Sequence, residues 1–290
     1  MSFCCSGASG VLACLTLGLA FVAVLYAGNQ QKKPNRDNPE VIKLRFRRVA
    51  LLCAIAPLAL LYSAQALARA DKSKCATTLQ HSMLRWLGLG LRHQQNPLLA
   101  IFSPIALTVC LFTGPLLHAH LDHGALVMRR IKLSKFQPGL LFMRNFIIGP
   151  ATEEWIFRSC MCPLVFSAGF SDLENIIITA VIFATAHLHH WVDANSSLLV
   201  LCVQFTYTGL FGAYASYLFL RTGLFYGPFL AHAFCNIMGL PNFWAISSHR
   251  NARLLVFVYT FGVVIFCVIT YLDAIYRPPL FNSIFWSESI

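Results

Sequence analysis

"GVLACLTLGLAFVAVLYAG", residues 10–28, is an apolar stretch that contains no charged side chain. An α-helix needs about 20 such residues to cross the hydrocarbon core of a bilayer. No basic segment precedes the stretch, so we expect a first transmembrane helix rather than a cleaved signal peptide. The stretch therefore predicts a protein of the membrane.

The rest of the chain has the same apolar character. Its 290 residues are 57% hydrophobic and 11% charged, with a mean hydropathy of +0.64, whereas soluble domains are about 25% charged. We predict an all-α fold, a polytopic transmembrane helical bundle of about eight spans, with residues 1–290 forming one integral membrane domain. The apolar stretches with the length of a span are 10–28, 49–68, 97–120, 143–169, 175–191, 198–220, 224–240 and 254–275.

The net charge of +11 comes from basic residues in short loops beside the apolar stretches. This distribution favours anionic lipid headgroups as the partner and gives no support for nucleic acid binding. The loop 29–48 is rich in Lys and Arg, so the positive-inside rule predicts that it faces the cytosol. Residues 69–96 are mixed, and the piece 83–91 is expected to be interfacial rather than spanning.

Most of the eleven cysteines lie inside apolar runs. There they are expected to serve as small hydrophobic side chains rather than as disulfide partners. Cys160 and Cys162 are separated by one residue, which matches neither the zinc nor the redox spacing. We interpret this pair as packing residues.

Ionisable residues interrupt the fourth apolar stretch, at "GPATEEWIFRSC", residues 149–160. A charge inside a membrane span costs at least a few kcal/mol and indicates a functional site. Glu154 and Arg158 are four residues apart, so they share a helix face and can neutralise each other. Glu153 is turned about 100° away and is left to face a cavity. The alternative is a purely structural ion pair between helices.

Two further polar insertions follow in neighbouring apolar stretches. His187 lies near the end of the fifth, in "VIFATAHLHHWVD", where His189 and His190 are expected to be interfacial. His232 and Asn236 lie one turn apart on one face of the seventh, in "GPFLAHAFCNIMGLP". We expect all three insertions to form one site, with the motif-bearing core at about 140–245.

The residues of this predicted site suit the addition of water to an acyl carbon. A glutamate and a histidine can share and activate a water, and a second histidine with a carboxamide can donate to an oxyanion. The chain contains no Gly-x-Ser-x-Gly motif, so serine hydrolysis has no support.

The three motifs together resemble those of the type II CAAX prenyl endopeptidases, the Ras-converting enzymes of the endoplasmic reticulum. The resemblance rests on Glu-Glu-x-x-x-Arg in "TEEWIFR", Phe-x-x-x-His in "FATAHLHH" and His-x-x-x-Asn in "HAFCNIMGLP", in that order. It covers about residues 140–245 and is closer to the eukaryotic branch. It implies a multi-pass membrane protease, with its site accessible from the cytosol, that removes the last three residues of prenylated CAAX proteins such as small GTPases.

The resemblance also implies a role for each motif residue. Glu153 and His187 would activate the water, while His232 and Asn236 would stabilise the oxyanion. Glu154 and Arg158 would support the site, and no cofactor is implied.

Other mechanisms and functions fit parts of the same pattern. Two histidines and a glutamate could hold zinc, as in metalloproteases, and Cys160 could act as a nucleophile. From other classes, the Glu/His cluster could relay protons or ions in a transporter, or the chain could be a non-catalytic membrane scaffold.

Overall fold

A computed structural model describes residues 7–27, 35–62, 83–123, 139–188, 197–276 and 279–286. Their regular secondary structure is helical, which confirms the predicted all-α class. The helices are α1 (Gly7–Tyr26), α2 (Pro39–Ile55), α3 (Met83–Trp86), α4 (Pro97–Leu111), α5 (Thr113–His123), α6 (139–167), α7 (Asp172–Ala186), α8 (Leu198–Thr222), α9 (Tyr226–Met238), α10 (Trp244–Ser248) and α11 (Ala252–Tyr276).

Three helices, α1, α8 and α11, are long and apolar enough to cross a membrane. The pair α4 and α5 adds a fourth candidate if this pair, bent by 60°, is one span. These figures hold for the described ranges alone. Helices occupy all eight predicted positions, but the remaining ones are shorter, interrupted or less apolar, so the total of about eight spans stays a prediction.

The second helix begins earlier than the sequence suggested. The stretch 29–48 is predicted as a loop, yet α2 starts at Pro39, so this expectation is wrong for its second half. The Asn38 side chain accepts a hydrogen bond from the Glu40 N–H, and Pro39 is the first helical residue. Both are strong helix-start signals. Residues 57–62 continue as helix, and 63–68 lie outside the described residues.

The third predicted span, 97–120, is a bent pair rather than one straight helix. The break falls at Phe112, between α4 and α5. Pro115 follows three residues later and has no N–H to offer to the Leu111 carbonyl. The missing hydrogen bond explains why the helix axis changes direction here.

The fourth span is an irregular helix. Within α6, the α-helical segments Gly139–Phe142, Gly149–Glu154 and Met161–Ser167 alternate with two π-helical segments, Met143–Ile148 and Trp155–Cys160. π segments are rare and occur often at functional sites. Glu153 and Glu154 end the α segment Gly149–Glu154, and Arg158 lies in the π segment that follows it.

The helices pack around one buried core. The longest contact runs between α7 and α8, while α4 packs on α9, α5 on α11, and α1 on α2, α6 and α7. Phe157, Phe183 and Phe219 are at most 2% exposed in this core. The piece 83–91, predicted as interfacial, also contributes to it, because Trp86 and Leu87 are buried there.

The outward faces of the long helices are apolar. Leu19 on α1, Leu199 on α8 and Phe257 on α11 are each more than 60% exposed. Exposed apolar surface on this scale is expected of helices that face lipid. The chain is thus a membrane-embedded protein.

The turn between α8 and α9 depends on a glycine. Gly223 ends α8 with a φ of 66° and donates to the Phe219 carbonyl. A residue with a side chain is strained in this left-handed conformation, which is why glycine commonly ends helices. The tight turn returns the chain directly into α9, where His232 lies.

The cysteines of the described ranges are all free thiols, as predicted. Cys14, Cys160 and Cys162 are fully buried. They fill space in the core as small apolar side chains.

Candidate active site

Helix α6 separates the two adjacent glutamates. Glu154 lies in the core, where its Oε1 is 3.2 Å from Nη1 of Arg158 and both side chains are 0% exposed. Glu153 points elsewhere and is 22% exposed. The predicted pairing of Glu154 with Arg158, and the separate direction of Glu153, are both confirmed.

Arg158 connects α6 to two other helices. Its Nη2 donates to the Gly212 carbonyl of α8 at 3.2 Å, and its guanidinium lies over the Phe183 ring of α7, 4.3 Å from the centroid. The Phe211 ring is 5.9 Å away. A buried cation is tolerated only with such hydrogen bonds, an anion and ring faces around it.

His232 extends this ion pair to α9. Its Nδ1 lies 2.7 Å from Glu154 Oε1, and its ring packs on Phe211 with centroids 4.6 Å apart. Because a carboxylate only accepts, Nδ1 is the donor and carries a proton. The other ring nitrogen, Nε2, is then directed at Glu153 Oε2, at 3.8 Å.

His187 approaches Glu153 from the end of α7. It is the residue directly after the helix, its Nδ1 lies 2.8 Å from the Phe183 carbonyl, and its ring packs on the Phe183 ring at 4.3 Å. The carbonyl oxygen can only accept, so Nδ1 carries a proton. In the neutral ring Nε2 is unprotonated, and it lies 3.7 Å from Glu153 Oε2.

Glu153 therefore lies between two imidazole rings, each of which is held by a hydrogen bond from its Nδ1 atom. Both distances exceed the length of a direct N–H···O hydrogen bond, and a separation of this kind suits a bridging water or substrate group. The three side chains from α6, α7 and α9 meet at one point, as the sequence predicted.

A cavity of about 910 Å³ opens at this point. Glu153, His187, His232 and Asn236 line it together with apolar side chains from α1, α4, α8 and α11. A large apolar cavity with a few convergent polar groups is the usual form of a binding site.

Comparison with known proteins connects this geometry to a family. The family model for Rce1-like type II CAAX prenyl endopeptidases matches residues 135–238. The chain is 32% identical to human CAAX prenyl protease 2, with the match covering 94% of this chain and 83% of the human protein. It is 41% identical to CAAX prenyl protease 2 of Arabidopsis thaliana over 48% of this chain and 46% of that protein. The Saccharomyces cerevisiae protein of the same name is 28% identical over 83% of each chain. No solved structure gives a significant match.

The chain belongs to the type II CAAX prenyl endopeptidase family. It is accordingly a peptide hydrolase of the membrane, and the resemblance noted from the three motifs is confirmed.

In this CAAX endopeptidase, Asn236 also reaches the cavity. It lies one turn after His232 on α9, and its Nδ2 donates to the Asn145 carbonyl of α6 at 2.9 Å. An amide nitrogen has two protons, so one N–H remains for a ligand. The hydrogen bond also fixes the C-terminal end of α9 against the first π segment of α6.

Three contributors to the candidate site lie outside the sequence motifs: Asn145, Phe211 and Gly212. Asn145 is a polar residue in an apolar stretch, a signal that the sequence does contain. Phe211 and Gly212 carry no such signal, because an aromatic ring and a backbone carbonyl look the same in any apolar helix. Phe211 and Phe183 pack on the two histidines and on Arg158 between them.

Cys160, an alternative nucleophile from the sequence, is not part of the cavity wall. Its side chain is 0% exposed and lies in the core. As for a metal, no group of three or more His, Cys, Asp or Glu side chains among the described residues is arranged to hold an ion.

Proposed function

We propose that this CAAX endopeptidase cleaves prenylated proteins by direct attack of a water that Glu153 activates. The substrate class comprises proteins with a farnesylated or geranylgeranylated Cys-a-a-X end, such as small GTPases. The observation that carries the proposal is the position of Glu153 Oε2, 3.7 Å from His187 Nε2 and 3.8 Å from His232 Nε2.

The Glu153 carboxylate and the His187 Nε2 atom that faces it both accept hydrogen bonds. The Glu153 carboxylate has no proton, and the neutral His187 ring offers the lone pair of Nε2 because Nδ1 holds the proton. Two acceptors at this separation suit a water that donates one proton to each of them. Its oxygen lone pair is then directed away, toward a substrate carbonyl carbon.

The proposed reaction has two steps, addition of water and collapse of the tetrahedral intermediate. The water oxygen bonds to the carbonyl carbon of the prenylated cysteine, and one water proton passes to Glu153 or His187. The tetrahedral oxyanion then collapses, the C–N bond breaks, and that proton goes to the leaving amine. The products are the aaX tripeptide and a prenyl-cysteine carboxylic acid, which keeps the second water proton until it ionises to the carboxylate in water.

His232 and Asn236 are the proposed oxyanion donors. Glu153, Glu154 and Arg158 together carry one net negative charge, which a protonated His232 would balance. That imidazolium directs an Nε2–H into the cavity, because Nδ1–H is held by Glu154. The second N–H of Asn236 supplies the other donor, and fixed donors of this kind stabilise developing charge strongly. Glu154 and Arg158 act as positioning residues.

The apolar part of the cavity suits the lipid of the substrate. Phe21, Leu111, Leu210 and Phe266 lie in its wall. Each buried methylene of a prenyl chain contributes about 0.8 kcal/mol, so a prenylated end concentrates at the bilayer and in this cavity. We further propose the endoplasmic reticulum membrane as the location, with the site open to the cytosol, where prenylated proteins are made.

The test is cleavage of a farnesylated peptide with a Cys-a-a-X end by the purified protein in vesicles. We expect Glu153→Gln and His187→Ala to lose nearly all turnover, because the first removes the carboxylate that accepts the water proton and the second removes the imidazole acceptor. Both variants should still bind a fluorescent prenyl peptide and unfold at the parental temperature.

Full cleavage by Glu153→Gln would eliminate this base. A chelator is included to examine the zinc mechanism. Loss of parental turnover with chelator and its return with zinc would replace the proposed mechanism by a metal one.

A further inference from the structure

The cavity has a basic wall that water activation does not use. Arg36, Arg45 and Arg144 all line the same cavity as Glu153. Arg36 precedes α2, Arg45 lies on α2, and Arg144 lies in the first π segment of α6. Arg36 is exposed, whereas Arg45 and Arg144 are partly buried, and a partly buried charge is costly unless it meets a ligand or partner of opposite charge.

Arg144 is held in place by the backbone before α2. Its Nη1 donates to the Arg36 carbonyl at 2.7 Å and to Asp37 Oδ1 at 2.9 Å, and its Nε donates to Asn145 Oδ1 at 3.0 Å. Within the described residues, these bonds use Nε and Nη1, so Nη2 is available to a ligand. The side chain is 20% exposed, so water does not screen it fully.

Arg45 faces the same space from α2. Its guanidinium carbon lies 5.5 Å from the centroid of the Tyr26 ring, which orients the planar group. Counted over the described residues, these three arginines and Asp37 give this wall a net charge of about +2. Arginine is the side chain best suited to bind a carboxylate through two parallel hydrogen bonds.

The distance from the catalytic glutamate to this wall matches the length of the leaving peptide. Arg144 precedes Glu153 by nine residues of a helix that is partly π-helical, which corresponds to at most about 13 Å along the axis. Three extended residues span about 10 Å, and a side chain covers the remainder. A peptide with its scissile carbonyl at Glu153 therefore brings its third following residue to the basic wall.

We propose that Arg45 and Arg144 bind the free α-carboxylate of the substrate's last residue and thereby set the cleavage three residues from the end. The proposal rests on the function proposed above. Glu153 contributes to the same selection, since its negative charge repels a carboxylate brought closer. A peptide with its carboxylate one residue further away overshoots the wall.

The experiment compares three farnesylated peptides on the parental enzyme in neutral phosphatidylcholine vesicles. One ends in a free carboxylate, one in a carboxamide, and one carries an extra residue after X. We expect kcat/KM for the carboxamide and for the longer peptide to be lower than that for the free acid by a factor of about ten or more. The reason is that a charge-assisted pair of hydrogen bonds is lost. Equal cleavage of acid and amide overturns the proposal, while the Glu153→Gln result stands independently. Cleavage of none of the peptides overturns both proposals.

Arg45→Gln provides the second arm, with Arg47→Gln as the matched control. Arg47 is exposed, lies two residues further along α2 and is not part of the cavity wall. We expect Arg45→Gln to reduce cleavage of the acid but not of the amide, so that their ratio approaches one, and Arg47→Gln to keep the parental ratio. An equal fall for both peptides would contradict the proposal. If that fall is limited to vesicles with anionic lipid, the basic wall binds a headgroup instead.

Discussion

Glu153 and Glu154 are neighbours in the chain with opposite surroundings. Glu154 is 0% exposed and is held by Arg158 and His232, whereas Glu153 is 22% exposed at the cavity. Arg158 and His232 both contact Oε1 of this buried carboxylate, so its charge is tied to them and Glu154 is a poor base. Glu153, at the cavity, is the carboxylate that we propose as the base. Two residues of the same type therefore have different surroundings because their Cα–Cβ bonds point in different directions from the helix.

Replacement of Glu154 by alanine should mainly damage stability. The change leaves Arg158 buried without its anion, and breaking a buried ion pair costs about 3–5 kcal/mol. We expect a lower unfolding temperature in detergent, and a loss of kcat that is smaller than for Glu153→Ala. Arg158→Ala should behave in the same way.

For Glu154→Ala and Arg158→Ala, kcat is measured on the folded fraction of each variant. A loss of kcat equal to or greater than that of Glu153→Ala would contradict the supporting role of the pair.

At the scale of elements, the packing of α7 on α8 holds the site together. Gly212 on α8 lies against α7, where an added Cβ would meet Phe183 at 3.1 Å and the Ala180 Cα at 3.2 Å. The same residue accepts the hydrogen bond from Arg158. The close approach of the two helices is thus a condition for the position of Arg158.

Gly212→Ala should push these helices apart, with Gly209→Ala as the matched control. At Gly209, a Cβ would meet the Ala184 side chain at an ordinary 3.7 Å. We expect Gly212→Ala to destabilise by about 1–3 kcal/mol through overpacking. Gly209→Ala should be neutral or slightly stabilising, because alanine is the better helix former.

The stability of the two variants is measured by thermal unfolding in detergent, and their activity is measured by peptide cleavage. Equal unfolding temperatures for Gly209→Ala and Gly212→Ala would show that the close contact at Gly212 is not important.

At the scale of the whole molecule, distant segments complete the core. Phe285, after the last helix, is fully buried against Trp86, Phe166 and Phe219, with ring centroids 5.4 to 5.6 Å apart. Asp273 on α11 accepts hydrogen bonds from Arg221 and Tyr217 of α8 at 2.6 Å each. These contacts connect residues 279–286 and α11 to the helices that carry the site.

Phe285→Ala should therefore destabilise the entire bundle. Loss of a fully buried phenylalanine costs about 3–5 kcal/mol, since a cavity remains among the three rings. We expect a clear fall in unfolding temperature, while Leu280→Ala, at a position that is 42% exposed, should change little. If both variants unfold at the parental temperature, the segment 279–286 does not contribute to the core.

Much of the site follows from local rules. Helical spacing alone predicts that Glu154 pairs with Arg158 and that Glu153 faces elsewhere, because both depend on the angle per residue within one helix. The start of α2 at Pro39 was also readable from Asn38 and Pro39, but the basic composition of 29–48 suggested a loop instead. The bend at Phe112 was likewise readable from Pro115, whereas the π segments of α6 depend on shifted backbone hydrogen bonds that no residue type in the sequence reveals.

The amino-acid sequence by itself determined that this is an all-α membrane protein with three polar motifs, because apolar length and helical periodicity are properties of consecutive residues. Tertiary structure alone decided which residues meet. Only the packing of α8 brings Phe211 and the Gly212 carbonyl to Arg158, and only the turn at Gly223 returns His232 to Glu154. The basic wall of Arg36, Arg45 and Arg144 likewise exists only after α2 packs on α6. Such contacts join residues far apart in the chain, so their formation depends on helix packing and not on local sequence.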